Sequence, residues 1–348
     1  MKRQRTRKGA PGIVEVAQRA GVSPATVSRF FNSPDIVRGP TRKRIEKAAA
    51  DLGYIRDRMA GTLHNRFSGT IGLVVPTIDN AIFSELIEAF AARLREHDRT
   101  MLIASHGYNL SLEVEIVRSL LERRIDGVAL IGFDHEAVPL EMLALRNVPV
   151  LAIWNFDKNS NITCVGSDNF DAGFQVTKYL MDHGHKDIAL LFPETKFNDR
   201  ARDRLNGALS ALGKSEGQMP LNRILATSYD LGDAKNTAVE LLQSDPPTAL
   251  VCGNDVIAQG ATFACQKLGL QIPQDMSIIG IGDFRGSAHM EPALTTLRLP
   301  AKQIGEISAD KLCQEFPSTH GGTPERILVP TRLIERASVS HPRNRRRL

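Results

Sequence analysis

The feature that most constrains the fold is an alternation of two apolar patterns from about residue 70 to residue 282. Short continuous apolar runs, such as TIGLVVP at 70–76, predict buried strands, and segments with apolar residues at helical spacing follow them. Strand–helix alternation builds open parallel sheets with helices on both faces. The strands fall into two series, which end at VPVLAIW (148–154) and at SIIGIG (277–282). We therefore predict an α/β body of two doubly wound parallel-sheet lobes.

Such a body predicts a small-molecule site between the lobes, since ligands of open sheets bind beyond the carboxyl ends of the strands. Polar side chains follow several predicted strands, and paired donors and acceptors of this kind suit a polyol ligand. The candidates are Asn155, Asp157, Asp168, Asn169, Asn254, Asp255 and Asp283, together with the run NDRARDRLNG at 198–207. Each of them could equally cap a helix or order a loop.

Charge is distributed unevenly along the 348 residues. Residues 1–66 contain 15 lysines and arginines against 5 acidic residues, and the last eight residues add four arginines. Residues 67–340 contain 25 basic against 34 acidic residues. A basic head on an acidic body predicts that the head meets a polyanion. The first ten residues and the C-terminal arginines could instead be solvated tails.

The sequence lacks the marks of membrane, secreted and metal-binding proteins. No apolar run reaches the roughly 18 residues of a membrane-spanning helix, and the basic N-terminus leads into no apolar segment of signal-peptide type. The four cysteines lie far apart without a C-x-x-C pair, which favours buried free thiols over a metal site. We therefore expect no membrane partner, no metal or cofactor, and a cytoplasmic location.

The basic head contains three predicted helices, at about 13–20, 24–32 and 41–52. In AGVSPATVSRFFN (20–32), Ser23 is a helix-capping residue and Pro24 occupies the first helical position, where its missing N–H costs nothing. Gly21 allows a tight turn, so we predict a helix-turn-helix unit braced by the third helix. A three-helix bundle with solvated charges is the alternative.

The exposed face of the second helix is small, polar and basic, which suits the major groove of B-DNA. Arg29 could donate two hydrogen bonds to a guanine edge, while Thr26 and Ser28 could reach a base edge or a phosphate. Residues around the start of the third helix would lie near phosphates, where they add affinity without sequence information. These are Arg38, Thr41, Arg42 and Lys43.

The segments IVEVAQRAGVSPATVSRFFN (13–32) and TRKRIEKAAADLGY (41–54) resemble the DNA-binding segment of the lactose-repressor (LacI) family of bacterial transcription regulators. The resemblance covers about residues 12–338. It continues in order through SGTIGLVVP, RRIDGVALIG, GSDNFDAG, GHKDIALL, GNDVIAQGA, PQDMSIIGIGDF and PALTTLRLP.

The resemblance implies an N-terminal all-α helix-turn-helix domain and an α/β body similar to periplasmic binding proteins. The chain would cross between the lobes near residues 169, 298 and 328. The implied domains are a DNA-binding domain (12–56), a hinge helix and linker (57–69), an effector-binding and dimerisation body (70–338) and a basic tail (339–348). Lobe 1 would comprise about 70–168 and 299–327, and lobe 2 about 169–298 and 328–338.

The resemblance also implies contacts with DNA. Pro24, Ala25 and Arg29 would face the bases. Residues 57–65 would form a hinge helix on DNA, with Leu63 wedged into the minor groove, where unstacking a base step allows a bend. Arg56 and Gly61 depart from the family pattern, and a glycine costs about 1 kcal/mol relative to alanine within a helix.

For the effector, the resemblance implies that Arg204 grips the ligand, that Asn254 contacts it, and that Phe83 and Trp154 line the pocket. Gly282 stands where many sugar-responsive members have an aspartate, with Asp283 next along the chain. The segment GIGDF resembles gluconate-repressor-like members. Together with the arginines at 200, 202 and 204, this favours an anionic effector such as a sugar acid.

We therefore predict a sequence-specific, DNA-binding transcriptional repressor controlled by a sugar or sugar acid. One head offers few base contacts, so a homodimer on a pseudo-palindromic operator is expected. The C-terminal segment shows no sustained heptads for a tetramer. The alternative is a sugar-binding or sugar-modifying α/β protein without DNA-dependent regulation. Against an enzyme, GIGDFRG has arginine where the dinucleotide fingerprint needs its third glycine.

Overall fold

The basic head folds into helices α1 (Ile13–Ala20), α2 (Pro24–Asn32) and α3 (Gly39–Leu52). The structure is a computed structural model that describes residues 11–55, 67–78, 81–314 and 323–343. The predicted bounds of α1 and α2 are confirmed, and α3 begins two residues earlier than predicted. Val16, Val27 and Ile45, one from each helix, are fully buried in a small apolar core.

The segment expected to form the hinge helix lies outside the described residues, and so do Arg56, Gly61 and Leu63. The chain divides between Ser68 and Gly69 into two compact units, Met1–Ser68 and Gly69–Leu348. Within the described part of the chain, no helix combines the length and the apolar character that crossing a bilayer requires.

The second unit is built from alternating strands and helices, as predicted. Its strands are β1 (Thr70–Val75), β2 (Thr100–Ser105), β3 (Gly127–Ile131), β4 (Val150–Asn155), β5 (Cys164–Ser167), β6 (Ile188–Pro193), β7 (Ile224–Thr227), β8 (Ala249–Cys252), β9 (Ser277–Gly282), β10 (Thr295–Arg298), β11 (Arg326–Leu328) and β12 (Arg332–Ile334). Its helices are α4 (Ala81–Glu96), α5 (Glu113–Glu122), α6 (Ala137–Leu145), α7 (Asn169–Asp182), α8 (Asp199–Ala211), α9 (Leu231–Ser244), α10 (Asp255–Leu268) and α11 (Ala301–Cys313).

Over the described residues these strands form two six-stranded sheets, each the centre of one lobe. Lobe 1 has the order β11-β5-β4-β3-β1-β2, with parallel pairing throughout. Lobe 2 has the order β12-β10-β9-β8-β6-β7, in which only the β10–β12 pair is antiparallel. The two doubly wound lobes predicted from the apolar alternation are therefore present.

The chain passes between the two sheets at three described points. It leaves lobe 1 between β5 and α7, returns between β10 and α11, and leaves again between β11 and β12. The apolar alternation did not predict β5, β10, β11 or β12. Each of these strands is only three or four residues long, and all four flank a crossing.

Helices α7 and α8 lie unusually close together, and the site depends on this contact because α8 carries Arg204. A Cβ added at Gly173 would lie 1.9 Å from the backbone oxygen of Arg204, and one at Gly207 would lie 1.9 Å from that of Phe170. Glycine is therefore required at both positions for the helix backbones to approach so closely.

We expect Gly173→Ala to lower the free energy of unfolding by about 1–3 kcal/mol, because the methyl group forces the two helices apart. Helix propensity alone would make the same substitution stabilising by about 1 kcal/mol. A decrease in the free energy of unfolding would therefore be due to the close packing of the two helices. Urea denaturation of the full chain measures it. Gly217→Ala is the control, since no atom lies within 4 Å of a Cβ there. Equal midpoints for the two variants would contradict the close-contact explanation.

Candidate functional sites

The N-terminus of α2 is held rigidly by its capping residue. The Ser23 hydroxyl accepts a hydrogen bond from the Thr26 amide at 3.2 Å and lies 2.9 Å from the Thr26 hydroxyl. Pro24 follows at the first helical position. Side-chain capping and a proline with a preset φ both stabilise a helix start, so the first turn of α2 has a defined orientation.

The predicted base-reading residues form the solvent-facing side of α2. Pro24, Ala25 and Arg29 are exposed, and Thr26 and Ser28 are half-buried. The Ser28 hydroxyl accepts a hydrogen bond from the Asn32 amide group at 3.2 Å, which leaves its own proton available to another acceptor. Arg29 forms no ion pair with any described residue.

The predicted phosphate contacts differ in their surroundings. Arg38 and Lys43 are exposed, and Thr41 is half-buried. Arg42 is half-buried as well, and its guanidinium lies 3.2 Å from the Asp35 carboxylate, which partly compensates its charge. Arg38 and Lys43 are therefore better placed than Arg42 to attract a phosphate.

In the body, Arg204 and Asn254 are both buried in lobe 2. Arg204 donates from Nε to Asn169 Oδ1 at 2.7 Å and from Nη1 to the Gly253 carbonyl at 3.0 Å. Asn254 caps α10 by accepting from the Ile257 amide at 2.9 Å. Arg204 Nη2 and Asn254 Nδ2 are both buried without a hydrogen-bond partner among the described residues. Burial lowers the pKa of Arg204.

Two unsatisfied buried donors are costly, so they call for an explanation. Each could donate to an oxygen-bearing ligand, which is the role that the resemblance implies for Arg204 and Asn254. The sequence showed the residue types but could not show that one donor of each side chain remains unused.

The predicted aromatic residues pack together in lobe 1. Phe83 and Trp154 are buried, and their rings meet edge to face with centroids 5.3 Å apart. Trp154 lines a cavity of about 210 Å³ whose wall also includes Phe284 and Leu299. Trp154 therefore lines this cavity, whereas Phe83 packs against Trp154 and is not among the residues of the cavity wall.

Asp283 has a different environment from the one expected for an effector contact. Its buried carboxylate pairs with Arg298 and with Arg336, the latter at 2.7 Å. Asp283 does not line the 210 Å³ cavity, whereas its neighbours Gly282 and Phe284 do. A Cβ at Gly282 would lie 2.3 Å from the Phe284 ring, so the ring takes the space that a side chain at 282 would need.

The N-terminal part of α8 is bonded across the cleft to lobe 1. Arg202 makes two 2.8 Å hydrogen bonds to the Asp134 carboxylate. Asp199 accepts from the Phe133 amide at 2.9 Å and from Asn155 Nδ2 at 3.0 Å. We call this set of contacts, together with those of Arg200, the interlobe clasp.

Arg200 completes the clasp by donating to the Ile131 carbonyl at 3.1 Å while pairing with Asp199 at 2.7 Å. The Arg200 side chain fits here because residue 132 is a glycine. Gly132 has φ +82°, and a Cβ at this position would lie 2.3 Å from Arg200 Nη1. Of the three clustered arginines, Arg200 and Arg202 are thus neutralised by aspartates. Only Arg204 keeps a guanidinium without a carboxylate partner among the described residues.

A larger cavity of about 940 Å³ opens beside the clasp, with walls from both lobes. Tyr108 of lobe 1 stacks on Tyr229 of lobe 2, with centroids 5.9 Å apart, and Asn198 donates to the Tyr229 hydroxyl at 3.2 Å. Burial raises the pKa of Tyr108. Sequence reasoning missed both tyrosines. Tyr108 follows β2, so the rule that polar strand ends face the cleft would have found it.

Comparison with known proteins gives matches for both units. Residues 12–57 match the family described as bacterial regulatory proteins, lacI family, and residues 68–337 match the periplasmic binding proteins and sugar binding domain of LacI family. The HTH-type transcriptional repressor PurR of Escherichia fergusonii is 30% identical over 331 residues, which are 94% of this chain and 96% of PurR. The HTH-type transcriptional regulator GntR of Escherichia coli K12 is 32% identical over 310 residues, 88% of this chain and 92% of GntR.

Among solved structures, the lac repressor dimer bound to operator and the anti-inducer ONPF has a TM-score of 0.81 and 26% identity. The match covers 95% of this chain and 99% of that one.

The clasp generates a prediction about stability. Arg202 and Asp134 form a two-pronged pair that is partly shielded from water, so we expect a coupling energy of about 1 kcal/mol, the upper end of the range for exposed pairs. A double-mutant cycle with Arg202→Ala and Asp134→Ala, followed by urea denaturation, measures it. The control pair is Lys178 and Asp182, which are four residues apart on α7, with an expected coupling of about 0.3–0.5 kcal/mol. A clasp coupling no larger than the control would show that this ion pair does not hold the lobes together.

Proposed function

The chain belongs to the LacI family of bacterial regulatory proteins, and from this premise we propose that it represses transcription by gripping an operator through α2 under the control of a ligand in the interlobe cleft. It is a DNA-binding transcription regulator and not an enzyme. Because its target is chromosomal DNA, we place its action in the cytoplasm.

The exposed first turn of α2 is the observation that carries the DNA-binding part. Pro24 and Ala25 are small and exposed, so the helix backbone can approach the base edges closely. Arg29, which forms no ion pair with a described residue, is then the donor for a guanine. Arg38, Thr41, Arg42 and Lys43 supply sequence-independent phosphate contacts. Leu63 and the hinge segment keep their assigned minor-groove role as part of this proposal.

The operator is proposed to be pseudo-palindromic and the protein a homodimer. One α2 helix can contact only a few base pairs, so two copies related by a two-fold axis are needed for useful specificity. The lac repressor, which resembles this chain over most of its length, was crystallised as a dimer bound to operator.

For the ligand, we propose a sugar or a sugar acid of the gluconate type. The supporting observation is the pair of unsatisfied buried donors, Arg204 Nη2 and Asn254 Nδ2. Trp154, which packs against Phe83, supplies an aromatic ring at the wall of the 210 Å³ cavity. A buried guanidinium without a carboxylate favours an anionic group, because the ligand's charge would offset the cost of burying Arg204. Asp283 and the arginines at 200 and 202 do not contribute, since their charges are already paired.

Ligand and DNA are proposed to be coupled through the relative position of the lobes. The interlobe clasp joins α8 to lobe 1, so a ligand in the cleft would act by changing how α8 meets lobe 1. Coupling free energies between two sites are typically about 1–3 kcal/mol, which corresponds to a 5- to 150-fold change in DNA affinity.

We expect Arg29→Ala to weaken operator binding by about 10- to 100-fold for each half-site while affecting random DNA much less, since one two-pronged arginine–guanine contact contributes about 1–3 kcal/mol of discrimination. Gel-shift titrations on a selected operator and on random duplex DNA measure both. Arg38→Ala is the comparison, with similar losses on the two DNAs because a phosphate contact reads no sequence. Equal losses for Arg29→Ala on both DNAs would refute its base-reading role.

We also expect gluconate to bind more tightly than glucose in calorimetry on the full chain, with Arg204→Gln removing the difference. Arg118→Gln, at an exposed arginine on α5, is the control and should keep it. Tighter binding of neutral sugars alone would refute an acidic effector while leaving the DNA-binding proposal intact.

A further inference from the structure

One acidic residue stands among the residues of the head that we assign to DNA. Residues 24–43 span every described residue with a proposed base or phosphate contact. They contain four lysines and arginines, and Asp35 is the only acidic residue among them. A carboxylate at such a surface repels the phosphate groups of DNA, so its presence there needs an explanation.

Asp35 belongs to the short turn that joins the base-reading helix α2 to α3. The turn is a single 3₁₀ turn, Pro34–Ile36, in which the Ile36 amide donates to the Ser33 carbonyl at 3.2 Å. Val37 directly follows it and is buried in the apolar core of the head, which anchors the turn. The Asp35 side chain is 96% exposed. The fold therefore holds this carboxylate in solvent, next to the start of α3.

The partner of this carboxylate is one of the proposed phosphate contacts. Arg42 Nη2 donates a hydrogen bond to Asp35 Oδ1 at 3.2 Å, and the Arg42 side chain is 35% exposed. An ion pair this open to water contributes little to folding stability. It matters more for DNA binding, because a phosphate would bind Arg42 through the same guanidinium group. Asp35 and a phosphate therefore compete for Arg42.

We propose that Asp35 lowers the affinity of the head for DNA by holding Arg42 in an ion pair and by repelling the phosphate that Arg42 would bind. The inference rests on the proposed function, because it takes Arg42 as a phosphate contact. A phosphate contact reads no sequence, so Asp35 weakens binding to every duplex to a similar extent. It thereby keeps operator binding within the range that a ligand effect of about 5- to 150-fold can reverse.

DNA titrations with the full-length protein test this. The probe is a random-sequence duplex, and fluorescence anisotropy measures its binding between about 50 and 200 mM salt. Asp35→Asn should tighten binding by about three- to tenfold for each bound head, since it removes the charge that competes with the phosphate. The slope of log affinity against log salt concentration should steepen by about one for each head, because Arg42 then neutralises one more phosphate. Asp35→Ser also removes the charge and should give the same gain.

Asp51→Asn is the matched control, because it makes the same change of charge in the same unit. Asp51 lies on α3 nine residues beyond Arg42 and 3.7 Å from the Arg19 guanidinium. Nine residues are about 13 Å along a helix, which exceeds the Debye length of about 8 Å at physiological salt. Asp51→Asn should therefore change the affinity by less than about twofold.

Arg42→Gln completes the test as a double-mutant cycle. In the Arg42→Gln background, Asp35→Asn should tighten binding by less than about twofold. A full gain in that background overturns the inference, as do equal gains for Asp35→Asn and Asp51→Asn or an unchanged affinity. A loss of operator binding in Asp35→Asn also overturns it, because a carboxylate that accepts from a cytosine would give that result. Arg29→Ala remains a separate readout for the DNA-binding proposal.

Discussion

The buried guanidinium of Arg204 is the interaction on which the arrangement of the body depends. Its bonds to Asn169 and to the Gly253 carbonyl join α8 to the start of α7 and to the end of β8. This is possible only because Gly173 and Gly207 let the two helices approach at backbone distance. With α8 fixed in this way, its first turn reaches lobe 1 and forms the clasp. Arg204 Nη2 has no hydrogen-bond partner among the described residues, so the residue that joins these elements also keeps a donor that a ligand could use.

Much of the fold could be predicted because it is encoded in local patterns. Ser23, Pro24 and Gly21 specify the start of α2 through capping and turn chemistry, which depend only on neighbouring residues. The long apolar runs of the two sheets predicted their strands for the same reason. Strands β5, β10, β11 and β12 were not predicted because each has too few consecutive apolar residues to form a recognisable run. They exist because partners distant in the sequence supply their hydrogen bonds.

The candidate site was predictable in its residue types and not in their pairing. Arginines 200, 202 and 204 look alike along the chain, but positions two residues apart point to different sides of a helix. Arg202 meets Asp134 and Arg200 meets Asp199, whereas Arg204 has no carboxylate partner among the described residues. Asp283 follows a strand as a ligand contact would, yet Arg298 and Arg336 take up its carboxylate. These outcomes depend on residues far apart in sequence, which composition and spacing do not reveal.

The three passages of the chain between the two sheets have a mechanical consequence. A pair of bodies joined by one strand of polypeptide can twist, slide and swing freely. Three covalent tethers side by side suppress twisting and sliding and leave one easy movement, a clamshell swing about the line that joins them. The free energy of ligand binding between the lobes would therefore act mainly on this clamshell movement.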